Sequence, residues 1–265
     1  MIQIEHLTKT FNVGTINAVA ALRDLSLTLA DGEFVTVIGS NGAGKSSLLN
    51  SIAGAQSVEQ GRIVIDGHDV THWAEHQRAR WIGRVFQNPF DGTAAAMSVE
   101  QNLTLAYLRG KPHRLMPGVT RARRDLFRRE LAALGLGLEQ RMETRVSLLS
   151  GGQRQALTLL MATLAKPRLL LLDEHTAALD PSAAAQVMQL TERLVRDNQL
   201  TTLMITHNMA QALACGDRTL MMHQGQFILD MRGAERQHLT VQDLVNKFAE
   251  MRKEVVDDEL LLSGN

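Results

Sequence analysis

The residues best able to do chemistry form one contiguous run, Gly39-Ser40-Asn41-Gly42-Ala43-Gly44-Lys45-Ser46, with Ser47 behind it. The run fits the spacing G-x-x-x-x-G-K-[ST], in which glycines free backbone N–H groups to curl around a phosphate. The helix N-terminus that follows adds partial positive charge, Lys45 reaches the terminal phosphates, and the Ser46 hydroxyl can ligate Mg²⁺. Such a loop needs a carboxylate on a neighbouring strand to hold the metal. Asp173 stands at the end of the run Leu169 to Leu172, and Glu174 follows at once. Mg²⁺ takes oxygen ligands, so Asp173 can hold it through water while Glu174 orients or deprotonates an attacking water. Paired carboxylates alone say little. After four leucines and downstream of a phosphate loop, they make a coherent hydrolytic set.

Those groups must be carried by a buried strand, a tight loop and a helix, and the flanking sequence supplies all three. Phe34 to Ile38 is almost continuously apolar, as a strand buried on both faces of a parallel sheet requires, and Leu169 to Leu172 and Thr202 to Thr206 share that character. Helices are expected over Lys45–Ala53, Gln153–Ala165 and Pro181–Asp197, the last with proline at its first position. Ile2 and Ile4, then Leu25, Leu27 and Leu29, alternate with polar neighbours, and Ile63-Val64-Ile65 runs into a turn at Asp66-Gly67, which is an antiparallel β pattern. The expectation is an α/β core with a parallel sheet, an antiparallel β subdomain, and an inserted helical subdomain over about 88–153.

In that helical stretch Phe127, Leu131 and Leu134 share one face while Arg121, Arg123, Arg124, Arg128 and Arg129 crowd the others. A solvated helix face explains the arginines better than a phosphate-binding patch, because no aromatics are interleaved. Thr240-Val241-Gln242-Asp243 reads as a capping box opening a last helix, with Leu244, Val245, Phe248 and Met251 on its apolar side and a tail from Glu254 to Asn265.

Composition narrows the classes further. A chain of 265 residues is one large domain or a core with a subdomain, and 45% hydrophobic with 21% charged residues argues against a disordered, collagenous or coiled-coil protein. Basic and acidic residues balance at 28 each, so no overall positive field recommends nucleic acid or an anionic membrane. Cys215 is the single cysteine, so neither an internal disulfide nor a cysteine zinc cage is possible, and a reducing cytoplasm is expected. The N-terminus lacks the layout of a secretory signal. The most apolar stretches, Leu157 to Ala165 and Leu169 to Leu172, fall far short of the roughly 20 residues a membrane helix needs, so a soluble chain is expected.

Leu149-Ser150-Gly151-Gly152-Gln153, ahead of the Asp173 strand end, resembles the signature motif and Walker B strand of ATP-binding-cassette (ABC) ATPases. Gln87 resembles that family's Q-loop glutamine, a contact for Mg²⁺ and water that senses the membrane partner. Ala178-Leu179-Asp180 resembles its D-loop, and His207 its switch histidine at the γ-phosphate. Phe11 occupies the place of the aromatic on which adenine stacks; as a lone phenylalanine near a strand it fits core packing equally well. The resemblance spans residues 1–235, with 236–265 as a C-terminal helix and tail.

What it implies is an ATP-hydrolysing subunit whose two copies close head to tail on two ATP·Mg²⁺. Gly42, Gly44, Lys45, Ser46 and Ser47 of one copy hold the phosphates, and Ser150, Gly151 and Gly152 of the other close over them. Gln153 and Asp180 join the nucleotide set, Asp173, Ser46 and Gln87 the metal set, and Glu174, His207 and Gln87 the catalytic set. An integral-membrane permease is the implied partner, with a substrate-binding protein behind it, at the cytoplasmic face of the cell membrane. The overall pattern resembles an importer of a small solute such as an amino acid; an exporter or lipoprotein-releasing ATPase, or a soluble ABC protein of DNA repair or translation, are the rivals. One departure stands out: His175 follows Glu174 where many relatives carry proline, placing a titratable ring beside the base or simply filling a turn.

Overall fold

The most apolar segments become the strands of a central sheet. The computed structural model describes residues 1–111 and 117–250. Its strands are β1 (Ile2–Phe11), β2 (Val19–Leu29), β3 (Phe34–Gly39), β4 (Gln60–Ile65), β5 (His68–Asp69), β6 (Ile82–Val85), β7 (Leu169–Asp173), β8 (Thr202–Ile205), β9 (Arg218–His223) and β10 (Gln226–Arg232). Its helices are α1 (Lys45–Ala53), α2 (Glu75–Arg78), α3 (Val99–Leu108), α4 (Arg121–Leu134), α5 (Gly151–Thr163), α6 (Pro181–Asn198), α7 (Met209–Ala214), α8 (Gly233–Gln237) and α9 (241–250).

A six-stranded sheet runs β10-β9-β3-β8-β7-β6, parallel except for β10, and an antiparallel four-stranded sheet runs β2-β1-β4-β5. Every residue of β8 is buried, as is all of β3 up to its last residue, which is why these strands read as almost continuous apolar runs. The registers bring the carboxyl ends of the strands level. Asp173 pairs with Ile205, Val37 with Ile205, and Val85 with Leu172. Loops leaving those ends therefore converge on one edge, where ligands bind in open α/β sheets.

Between β6 and α5, Phe127, Leu131 and Leu134 turn into a core shared with Val99, Leu103 and Leu157. Arg121, Arg128 and Arg129 are exposed, as a solvated face requires, whereas Arg124, two turns before Leu131, forks onto the buried Glu100 at 2.8 and 3.0 Å. Helix α5 opens two residues earlier than the expected Gln153, because Ser150 caps it and Gln153 completes a capping box as the third helical residue. A reciprocal pair also opens α9: Asp243 Oδ2 accepts from Thr240 N at 2.8 Å, and Thr240 Oγ1 accepts from Asp243 N at 3.2 Å. Leu244 is buried there and Phe248 packs on the same cluster, but Val245, expected on the apolar side, is 41% exposed, since it falls one residue round the helix from Leu244. Met251 and the tail lie outside the described residues.

Candidate active site

The loop between β3 and α1 owes its shape to two glycines. Gly44, the N-cap of α1, has φ 101°, and a Cβ there would stand 2.3 Å from the Ala21 carbonyl oxygen. Gly42 has φ 79° with open space around it, so its demand is for the left-handed backbone alone. The loop is braced from below, with Gly225 N donating to Ala43 O at 2.9 Å and Arg23 N to Gly225 O at 3.0 Å. Lys45 is buried, and its Nζ donates to Gly39 O and Ser40 O at 2.9 Å each. Burial lowers its pKa, while the nearby Glu174 and Asp173 carboxylates act the other way. The far end of α1 is closed by Arg78, whose Nη1 donates to Ser51 O and Ile52 O at 2.7 and 2.8 Å, placing a cation where the helix dipole is negative.

These groups open on a cleft of about 800 Å³ lined by Phe11, Val19, Ala21, residues 41–47, Gln87, Asp173, Glu174 and His207. Phe11 is 39% exposed at its wall, so it does not pack into the core. Gly39 and Ser40 serve through their carbonyls, as partners of Lys45. Asp173 is largely buried, and that burial, with Glu174 alongside, raises its pKa despite Arg84, whose Nη2 is 3.6 Å away. A half-desolvated carboxylate, the Ser46 hydroxyl and the Gln87 amide facing one cleft form an oxygen donor set that suits Mg²⁺. Glu174 sits at φ 43°, in the left-handed region, and its Oε2 is 3.1 Å from Nδ1 of the exposed His207.

Ser150, Gly151, Gly152, Gln153 and Asp180 lie elsewhere, in a second cleft of about 640 Å³ that shares no residue with the first. Ser150 and Asp180 are N-caps of α5 and α6. The Gln153 amide is taken up locally: its Oε1 accepts from Arg141 at 3.1 Å and its Nε2 donates to Leu136 O at 3.2 Å.

His175 departs from the picture of a titrating neighbour of the base. It is 2% exposed, and its Nε2 meets the Thr191 hydroxyl at 3.0 Å, which itself donates to Val187 O at 2.8 Å and so must accept from the ring N–H. Burial lowers its pKa to about 4 from 6.5, so the ring stays neutral near neutrality and does not tune hydrolysis there by titrating. The unfolded chain takes up this proton below pH 6.5 and the folded one only below about 4. The ring's contribution to stability is therefore intact above pH 6.5 and is lost as pH falls toward 4, by about 3 kcal/mol in all. Urea unfolding at pH 7 and pH 5 should show the wild type losing about 2 kcal/mol more than His175→Gln, which keeps an N–H donor without the titration. Equal losses would clear His175 of this role.

Two side chains that no motif singles out also belong here. Arg84, a cation in a strand otherwise buried, donates to Asn50 Oδ1 at 2.7 Å beside Asp173; its charge inside an apolar run was the available signal. Gln211 carries no such mark.

The family model described as ABC transporter matches residues 22–177. A tyrosine transport ATP-binding protein of Clostridioides difficile (strain R20291) is 44% identical over 250 residues, which cover 94% of this chain and 98% of that protein. A sulfate/thiosulfate import ATP-binding protein of Chromobacterium violaceum is 35% identical over 85% of this chain, which spans only 59% of that relative. Among solved structures, the post-hydrolysis dimer of the ATP-binding cassette MJ0796 bound to ADP and Pi superposes with TM-score 0.74 at 26% identity, covering 88% of this chain and 98% of that one. The ADP conformation of the cassette MJ1267 gives TM-score 0.77 at 25% identity over 94% of this chain and 98% of its own. With well over half its length matched by the family model and nearly all of it by a bacterial relative, the chain belongs to the ABC transporter family, as one of its ATP-hydrolysing proteins.

Proposed function

We propose that this chain is the ATPase subunit of an importer and works as a head-to-tail pair. The observation that carries the pairing is the separation of the two clefts, which share no residue. One copy holds the phosphates with Gly42, Gly44, Lys45, Ser46 and Ser47 and stacks adenine on Phe11. The second copy brings Ser150, Gly151 and Gly152 over the same nucleotide. Asp173, Ser46 and Gln87 would hold Mg²⁺, which supplies charge neutralisation on the phosphate oxygens. Glu174 takes the proton of the attacking water, and His207, within reach of Glu174, contacts the terminal phosphate. Closure is then driven by ATP as a ligand and released by hydrolysis.

Among the described residues no helix is long and apolar enough to cross a membrane. Membership of the ABC transporter family supports docking to a membrane permease, on the cytoplasmic side. The 44% identity to a tyrosine transport protein favours an amino acid as cargo, with a substrate-binding protein delivering it to the permease. Reconstitution with its permease and binding protein tests this. Inward, ATP-dependent uptake of tyrosine, with ATPase activity stimulated by the loaded binding protein, is expected; outward movement only, or stimulation by nucleic acid, would overturn it.

A further inference from the structure

Helix α7 is only six residues long, yet both of its ends are tied down by side chains from elsewhere. Its head lies beside the two turns that carry Glu174 and His207. The Gln211 amide spans them: Oε1 accepts from the Thr206 hydroxyl at 2.7 Å, and Nε2 donates to the Thr176 hydroxyl at 3.2 Å. Thr206 immediately precedes His207, and Thr176 stands two residues after Glu174. Thr206 Oγ1 also accepts from Asn208 N at 3.1 Å, while Asn208 Oδ1 caps α7 at Gln211 N, 3.0 Å. At the foot, Arg236 of α8 donates to Ala212 O and Leu213 O at 2.9 and 3.1 Å and also to Cys215 O, satisfying carbonyls that a helix end leaves open. Arg236 Nε reaches Thr219 Oγ1 at 2.9 Å, and Thr219 meets the Thr36 hydroxyl of β3 at 2.9 Å. The helix is thereby anchored to the strand that leads into the phosphate loop.

We propose that Gln211 is a positioning residue, held in place by the Arg236 anchor, which sets the separation of Glu174 and His207. The inference rests on the roles given above to those two residues. Glu174 sits at φ 43°, a backbone conformation costly for a side chain with a Cβ, which persists only where neighbours over-determine it. The bond to Thr176 secures the turn behind Glu174, and the bond to Thr206 secures the chain ahead of His207. Nucleotide affinity resides mainly in the phosphate loop, which Gln211 does not touch.

Gln211→Met keeps the length and removes both bonds. It should lower kcat about 10–100-fold, the scale of an ångström's misplacement of a reacting group, with KM for ATP within about twofold of wild type. Gln211→Glu, whose carboxylate accepts from both threonine hydroxyls, should restore kcat to within about threefold. In a His207→Ala background Gln211→Met should cost clearly less than it does in the wild type, because one of the two residues it positions is gone. Thr176→Val cuts one bond from the other side and should repeat the kcat loss, so the inference stays testable even if Gln211→Met folds poorly. A wild-type kcat in both Gln211→Met and Thr176→Val, no recovery in Gln211→Glu, or a loss that multiplies in full in His207→Ala would overturn the proposal. Glu174→Gln run in parallel separates the failures: full hydrolysis there sinks the site assignment, whereas its loss alongside an active Gln211→Met sinks this inference alone.

Discussion

Glu174→Gln is expected to lower ATP hydrolysis about 10²–10⁴-fold, the usual contribution of a positioned acid or base, while leaving nucleotide binding intact. The substitution keeps the size of the side chain and an oxygen facing His207, at present 3.1 Å away, but removes the charge that takes up a proton. With the closed state no longer drained by turnover, ATP should shift the purified variant from monomer to dimer on a sizing column, and ADP should not. Ser150→Arg puts a bulky cation on the exposed cap of α5 and should block that dimer without preventing one copy from binding ATP. Wild-type turnover in Glu174→Gln, or equal dimerisation with Ser150→Arg present, would show that the paired-site mechanism is wrong.

Lys45→Ala should cost at least about 100-fold in ATP affinity. Hydrogen bonds to a charged group contribute about 1.5–3 kcal/mol each, and the ammonium has at least two to offer to the terminal phosphates. The same Nζ bonds Gly39 O and Ser40 O, so with three donors in all at least one must turn from the loop to the phosphates. Lys45→Met, which keeps most of the stem but no charge, should bind ATP as poorly as Lys45→Ala. Titration calorimetry with ATP and with ADP measures both, and near-normal affinity in either variant would remove the phosphate-loop assignment.

Much of this arrangement is visible in the order of residues alone. A strand buried on both faces must be apolar at nearly every position, so β3, β7 and β8 announce themselves, and helix α6 ends within one residue of its expected limit. Phe11 is a different case. Along β1 the pairing with β2 shifts register after Ile4, after Leu7 and after Lys9, and each irregularity resets the two-residue alternation. Counting in from Ile2 therefore cannot tell which side Phe11 faces. His175 fails for another reason: at a strand end adjacent residues leave on different sides, so a neighbour of Glu174 in sequence can be a partner of Thr191 in space. Gln211 was unreadable because its two bonds reach Thr206 and Thr176, one five residues back and the other 35. No spacing rule covers such a pair.

The lone thiol carries a practical consequence for watching the clefts close. Cys215 is 4% exposed, its Sγ donates to Glu192 Oε1 at 3.0 Å, and burial together with that carboxylate pushes its pKa up to about 12. Reagents such as maleimides and nitroxide methanethiosulfonates attack the thiolate, which is vanishingly scarce here at neutral pH. The natural sequence is thus already a silent background for site-directed labelling. A cysteine introduced at exposed Leu148, beside the signature turn, would take up a spin label alone, and the distance between two such labels across a pair of copies would follow closure with Cys215 left in place.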